Sequence, residues 1–313
     1  MTMTSHASTI DFSLAAVTRR RALWIGSAAG LELGMARTAI GALADVTDAE
    51  SPQAAATAAS AADVAQVTPL FAVLAADRPG RFTPADALLL SRTWPLMPIV
   101  SVASSLVDGR RRSGPQLPGI EEVPWHDLPG RCGWWLAAFE AGLPTSLGLP
   151  ATARREERLL ESIGGIRASD PAAHHGHGVH MPGACGDVSV AAIQTDDLDG
   201  LCDLLALAGH RVVNRQVGRP RLDETAPTLI WDVRDLAGPD LEWLRLLAAN
   251  RPGLFIVILD SFPRGDSVLA AMRAGAAAVL GRPVSLEALA GTLLQKRLGK
   301  PSHAGLGRAA GGR

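Results

Sequence analysis

Leu254-Phe-Ile-Val-Ile-Leu259 is a run of large apolar residues with no polar alternation. A strand of that kind is buried on both faces, so it demands a parallel sheet with helices packed on each side. The neighbouring sequence supplies those helices and further strands. Val188–Ile193 is a second short apolar run, and after it Leu198, Leu201, Cys202, Leu205 and Ala208 share one helical face that Gly209 closes. Strands at Arg211–Val213 and Thr228–Trp231 follow, then a helix carrying Leu241, Leu244 and Leu247, then the 254–259 run. A helix with Val268, Leu269 and Met272, a strand at Ala277–Leu280, and a helix capped by Ser285 and carrying Leu286, Leu289 and Leu293 complete the series. This alternation predicts a doubly wound, three-layer α/β domain, with ligands at the carboxyl ends of its strands.

The chain has 313 residues, room for two such domains. Composition divides it into a tail at 1–19, a domain at 20–145, a connector at 146–187, the domain just described at 188–297, and a second tail at 298–313. The connector is expected to hold one charged helix, Ala151 to Ile163, and then a Gly-, His- and Pro-rich stretch. Lys+Arg 30 against Asp+Glu 31 gives a net charge of -1, which disfavours nucleic acid or an anionic membrane as partner. Three scattered cysteines, Cys132, Cys185 and Cys202, do not form a disulfide framework and suit the reducing cytoplasm.

Two stretches imitate membrane signals. Arg19-Arg20-Arg21 before Ala22–Gly26 has the outline of a twin-arginine leader, but Glu32 and Arg37 interrupt the apolar part, and a short buried opening strand is the better reading. Ala87 to Val107 is apolar enough to span a bilayer, yet Arg92, Pro95 and Pro98 break it into a helix, a turn and a strand.

Three segments of the second domain carry a family resemblance. Thr228-Leu-Ile-Trp-Asp232 with its continuation to Leu244 is similar to the third strand, phosphoacceptor aspartate and following loop of response-regulator receiver domains. Ala271 to Leu289, containing Gly275 and Arg282-Pro283, is similar to that family's fourth helix, fifth strand and final Lys-Pro turn, and Ala208-Gly-His-Arg-Val-Val213 to the exit of its first helix. The resemblance implies a flavodoxin-like fold and a site built from a carboxylate nucleophile, an acidic pair that holds Mg²⁺, a Thr or Ser, and a Lys. Asp232 then stands as the phosphoacceptor. The acidic-pair position holds Gln194 and Thr195; a two-residue slip would make Asp196 and Asp197 the Mg²⁺ ligands, whereas without the slip they cap and open a helix, the assignment preferred here. The hydroxyl position falls on Asp260 or, one residue on, Ser261, and the lysine position on Arg282.

The first domain repeats the outline. Arg21–Ile25, Leu70–Ala75 and Pro98–Ala103 match the first, third and fourth strands, with helices around Leu31–Leu43, Ala54–Val67 and Pro84–Thr93. Its nucleophile slot falls on Ala75, with Asp77 beyond it, and the fourth-helix region is a Gly- and Pro-containing loop leading to Ile120–His126.

Other motifs point elsewhere. Arg110, Arg111 and Arg112 near Trp125 and His126 would suit an anion or nucleotide-like ligand, although a solvated arginine loop over core tryptophans explains them as well. His174, His175, His177, His180 and Cys185 are metal-ligand types, but they lie in one linker instead of on separated elements. Gly26, Gly30 and Gly34 lack the G-x-G-x-x-G pattern, and Glu32 would repel a pyrophosphate. Cys202 lies on an apolar helix face with no base beside it.

The sequence therefore predicts a signalling protein with tandem, degenerate receiver-like domains that acts without catalysis, through protein partners. A phosphorylation-dependent regulator fed by a histidine kinase is one alternative, with Asp232 as acceptor, Ser261 and Arg282 in the phosphate pocket and Mg²⁺ as cofactor. An enzyme binding an anion or small molecule at Arg110–Arg112 is the other.

Overall fold

Parallel strands place their side chains against helices on both sides, and the burial of the strands follows their place in each sheet. The computed structural model describes residues 20–61, 68–108, 117, 119–150, 152–168, 186–236 and 238–297. The first unit runs β1 (Arg21–Ile25), α1 (Leu31–Gly41), β2 (Asp45–Ala49), α2 (Pro52–Ala61), β3 (Phe71–Ala76), α3 (Pro84–Thr93), β4 (Ile99–Ala103), α4 (Ser105–Asp108), β5 (Glu121–Pro124) and α5 (Leu128–Glu140). A single turn at Ser146–Gly148 and α6 (Arg155–Ala168) follow. The second unit runs β6 (Asp187–Ala192), α7 (Thr195–Leu207), β7 (Arg211–Val217), β8 (Thr228–Asp232), α8 (Pro239–Asn250), β9 (Phe255–Asp260), α9 (Gly265–Arg273), β10 (Ala278–Gly281) and α10 (Leu286–Arg297).

The first sheet has the order β2-β1-β3-β4-β5 and the second β10-β9-β8-β6-β7, with every pairing parallel. Counted within its own unit, each sheet has the order 2-1-3-4-5, so the strand order reverses between the first and third strands. Central β3 and β8 are buried at every position, while edge β2 and β7 are largely exposed or alternate.

The apolar stretch 87–107 divides into α3 and β4, and no described helix is long and apolar enough to cross a membrane. The segment 21–25 is β1, an interior strand. Four elements of the first unit, β2, α4, β5 and α5, were not foreseen. The edge strands are short and polar (Asp-Val-Thr-Asp-Ala and Glu-Glu-Val-Pro), and α5 contains Pro129, Gly130 and Gly133, which lower helix propensity. The connector helix spans Arg155–Ala168, four residues later than expected at its start. Both tails lie outside the described residues.

The glycines of α5 have a purpose at the junction between the units, where α5 packs directly on α10. A Cβ on Gly291 would collide with the carbonyl oxygen of Gly130, and one on Gly130 with that of Ala288. The two backbones therefore approach more closely than any larger residue permits. One buried cluster continues across this junction, from Trp135 and Leu136 to Trp231, Leu286 and Ala290.

Within that apolar contact lies one charged knot. Glu287 of α10, 1% exposed, accepts hydrogen bonds from Arg131 Nη2 at 2.9 Å, Trp135 Nε1 at 2.9 Å, Ser146 N at 3.1 Å, Ser146 Oγ at 2.8 Å and Ser162 Oγ at 2.9 Å. Arg131 also pairs with Glu121 of β5 at 2.6 Å. Burial alone would raise the Glu287 carboxyl, but the Arg131 charge and the bonds from Arg131 and Ser146 outweigh it and hold the group below its ordinary range.

Two measurements follow from this junction. Gly291→Ala should lower the urea-unfolding free energy by about 1–3 kcal/mol through overpacking, whereas Gly200→Ala, where a Cβ in α7 meets nothing within 4 Å, should raise it by up to about 1 kcal/mol. Because the Glu287 carboxyl is depressed from 4.5, its contribution is fully present above that pH and is lost as the pH falls through the lower folded-state value. In urea titrations across the acid range, Glu287→Gln should cost about 3–5 kcal/mol at neutral pH and flatten the loss of stability below the ordinary carboxylate pKa.

Candidate functional site

The carboxyl ends of β8, β9 and β10 lie on one side of the reversal of strand order between β6 and β8, and the side chains found there are Asp232, Asp260 and Arg282. Asp232 ends β8 and is 1% exposed. Its Oδ2 is ion-paired with Nη2 of Arg282, the residue directly after β10, while its Oδ1 has no hydrogen-bond partner among the described residues. Nη1 of Arg282 lies 3.5 Å from Asp197 Oδ2 in the first turn of α7. One guanidinium thus faces both the strand-end carboxylate and the first turn of α7. Arginine suits this task because its nitrogens are spread across a rigid fork, whereas an ammonium is a single point of charge.

Asp260 ends β9, and its side chain folds back to accept the Phe262 N–H at 2.9 Å. Burial raises its carboxyl above the usual range, and neighbouring Asp235 adds to the rise; the Phe262 bond and His126 oppose it. Ser261 is exposed beside it. Asp196 and Asp197 both lie in the first turn of α7, whose N-cap is Gln194; Asp196 is exposed and Asp197 faces Arg282. These residues do not fit Mg²⁺: a cation already occupies the space between Asp197 and Asp232, and among the described residues no three His, Cys, Asp or Glu side chains converge to hold a metal.

Among the described residues the first unit lacks this constellation. In the second sheet the last pairs are Asp260 with Gly281 and Asp232 with Leu259. In the first, Ala103 pairs with Pro124 and Ala75 with Val102. Ala75 therefore stands where Asp232 stands, and Trp125 follows β5 as Arg282 follows β10. Asp77 lies past the end of β3, near Arg78 and Arg81.

The remaining sequence candidates separate. Trp125 is 1% and His126 5% exposed, so neither offers a surface on which a ligand could stack. Arg110, Arg111 and Arg112 lie outside the described residues, as do His174, His175, His177, His180 and Cys185. Glu32, read from sequence as a break in the apolar opening stretch and as an obstacle to pyrophosphate, accepts the backbone N–H of Ser105 at 2.7 Å and of Gly265 at 3.1 Å, bridging the starts of α4 and α9 across the two units. Cys202 is partly buried on α7 and burial raises its thiol, as it does more strongly for Cys132. The Glu32 bridge and the Arg131–Glu287 knot were missed because their partners are more than 70 and 150 residues away.

Comparison with protein-family models gives no match, and comparison with curated proteins gives no significant one. Solved structures do resemble the chain over about a third of its length. A putative pilus assembly-related protein from Burkholderia pseudomallei is 28% identical, with a TM-score of 0.34, the match covering 36% of this chain and 90% of that one. A putative pilus assembly protein from Burkholderia thailandensis is likewise 28% identical, with a TM-score of 0.34 over 36% of this chain and 98% of that one. The BeF3-activated DrrB receiver domain is 20% identical over 36% of this chain and 98% of its own, with a TM-score of 0.31. The strand order found above is the one that CheY-type proteins use. Each unit is receiver-like in fold.

The ion pair in the receiver-like second unit can be weighed directly. Arg282→Ala leaves a buried carboxylate without its cation and should cost about 3–5 kcal/mol in urea unfolding. Asp232→Ala in the same chain should recover most of that loss, because the charge that needed compensation is gone.

Proposed function

We propose that this protein is a signalling scaffold, two receiver-like units joined into one body that acts through protein–protein contact and not through phosphoryl transfer. The observation that carries this reading is the pairing of Asp232 with Arg282. A phosphoryl group arriving at Asp232 would need that carboxylate as an unencumbered nucleophile and a cation free to bind the new oxygens. Arg282 already spends its charge on the acceptor itself. The neighbouring Asp260, where the resemblance implies a hydroxyl, adds a second acidic group that would repel the incoming anion. The corresponding slot in the first unit is Ala75, which has no nucleophile to offer.

Protein contact is supported by apolar residues left on the surface where the units meet. Leu31 on α1, Leu106 on α4 and Phe262 after β9 are all exposed; Leu31 and Leu106 adjoin Glu32 and Ser105 in sequence, and Phe262 lies three residues before Gly265, the third member of the Glu32 bridge. Exposed apolar groups gathered from two units are a usual mark of a partner surface. The free thiols of Cys132 and Cys202 support a reducing, cytoplasmic setting.

The test uses the full chain with Mg²⁺ and either beryllofluoride or acetyl phosphate. The expected result is no change in melting temperature with beryllofluoride and no label incorporated from radioactive acetyl phosphate. Stabilisation or labelling that disappears in Asp232→Ala would overturn the scaffold reading and make the protein a phosphorylation-dependent regulator.

A further inference from the structure

Gly281 and Arg282 are adjacent, and the first unit grips the former. The N–H of Gly281 donates to Asp127 Oδ1 at 3.2 Å, in a bond buried between chain segments 154 residues apart. His126 lies directly on the Gly281 backbone, so that a Cβ there would collide with the imidazole Cε1. His126 Nδ1 and Asp127 Oδ1 are 3.0 Å apart, and both residues are about 95% buried. Together they form a closed corner between β5 and α5 whose polar atoms are directed at the end of β10. The N–H of Arg282 in turn donates to the carbonyl oxygen of Asp260 at 3.1 Å, so the backbone bearing the arginine is held from both sides.

We propose that the His126–Asp127 corner is a coupling latch, by which the charge state of the Asp232 pocket and the docking of the two units control one another. Arg282 can leave Asp232 only if the backbone at 281–282 shifts or its side chain swings out. A backbone shift breaks the Gly281–Asp127 bond and presses on His126. The corner leads straight into α5, which is in close backbone contact with α10 through Gly130 and Gly291 and has little room to absorb the movement. Linkage makes the effect reciprocal: whatever loosens the corner also loosens Arg282 from Asp232. A protein partner that grasps the first unit near α5 would in this way expose or conceal an acidic pocket in the second. The latch rests on the internal pairing of Asp232 by Arg282 that supports the scaffold reading.

Amide hydrogen exchange on the full chain tests it, comparing the stretches 278–284 and 125–132 in the wild type and in Asp232→Asn, which keeps the side-chain volume and removes the charge. Exchange should accelerate roughly tenfold or more in both stretches. Acceleration in 278–284 alone would overturn the latch and leave the Asp232–Arg282 pairing intact. No acceleration in either stretch would overturn the pairing as the restraint, and the latch with it. A second variant examines the route directly: Gly281→Ala should accelerate both stretches by displacing the imidazole, and His126→Ala in the same chain should reverse most of that change by making room for the new methyl. Failure of the second substitution to reverse it would show that the contact is not the path of coupling.

Discussion

Glu287 is a buried carboxylate that only an assembled junction can satisfy. It stands on α10 of the second unit, and its donors come from α5 of the first unit, from the turn at Ser146 and from α6 of the connector. Taken out of water alone, it would cost several kcal/mol, and the cost is offset only when all three segments are in place. The close glycine contact of α5 with α10 supplies the van der Waals attraction, while Glu287 supplies the selectivity. A slide of one helix along the other would keep much of the apolar contact but would strand the carboxylate. The registration of the two units therefore depends on this charge more than on the area around it.

Once that registration is fixed, the rest of the interface follows from it. It brings the His126–Asp127 corner onto Gly281 and sets Glu32 between the starts of α4 and α9. The first unit thus touches the second at the end of β10 and at the start of α9, the helix that follows β9. A pair of receiver-like units on a flexible tether would leave such a pocket open to any partner. Here the pocket is closed from within by Arg282 and supported from outside by another domain, so its electrostatics belong to the whole chain.

The second unit was legible in the sequence because its central strands are uninterrupted apolar runs and its helices carry clear apolar faces. The runs at Val188, Thr228 and Phe255 are β6, β8 and β9, and Ser285 accepts a hydrogen bond from Ala288 N as a helix cap does. Asp232 at the end of β8 and Arg282 just past β10 were also named from sequence. What could not be read was their relation, since a residue pattern gives the types at a site but not which charge faces which. In the first unit, β5 and α5 escaped because Glu121 and Glu122 make an edge strand polar, and because Gly130 and Gly133 weaken a helix to serve a contact with residues more than 150 positions away. Local propensity misleads where a distant backbone is the reason for the residue.

The two units have divided the properties of one fold between them. At matching places in the sheets the second unit has Asp232 and Arg282, and the first has Ala75 and Trp125. An uncompensated aspartate at Ala75 would be a buried charge, because Trp125 fills the position from which Arg282 neutralises Asp232. Replacement of either member of the charged pair alone is costly, whereas replacement of both by apolar residues is close to neutral. Such a pair is therefore lost together or retained together. With Ala75 and Trp125 in place of such a pair, the end of β5 carries a buried Trp125-His126-Asp127 corner, and this corner is what reaches the charged pair of the other unit.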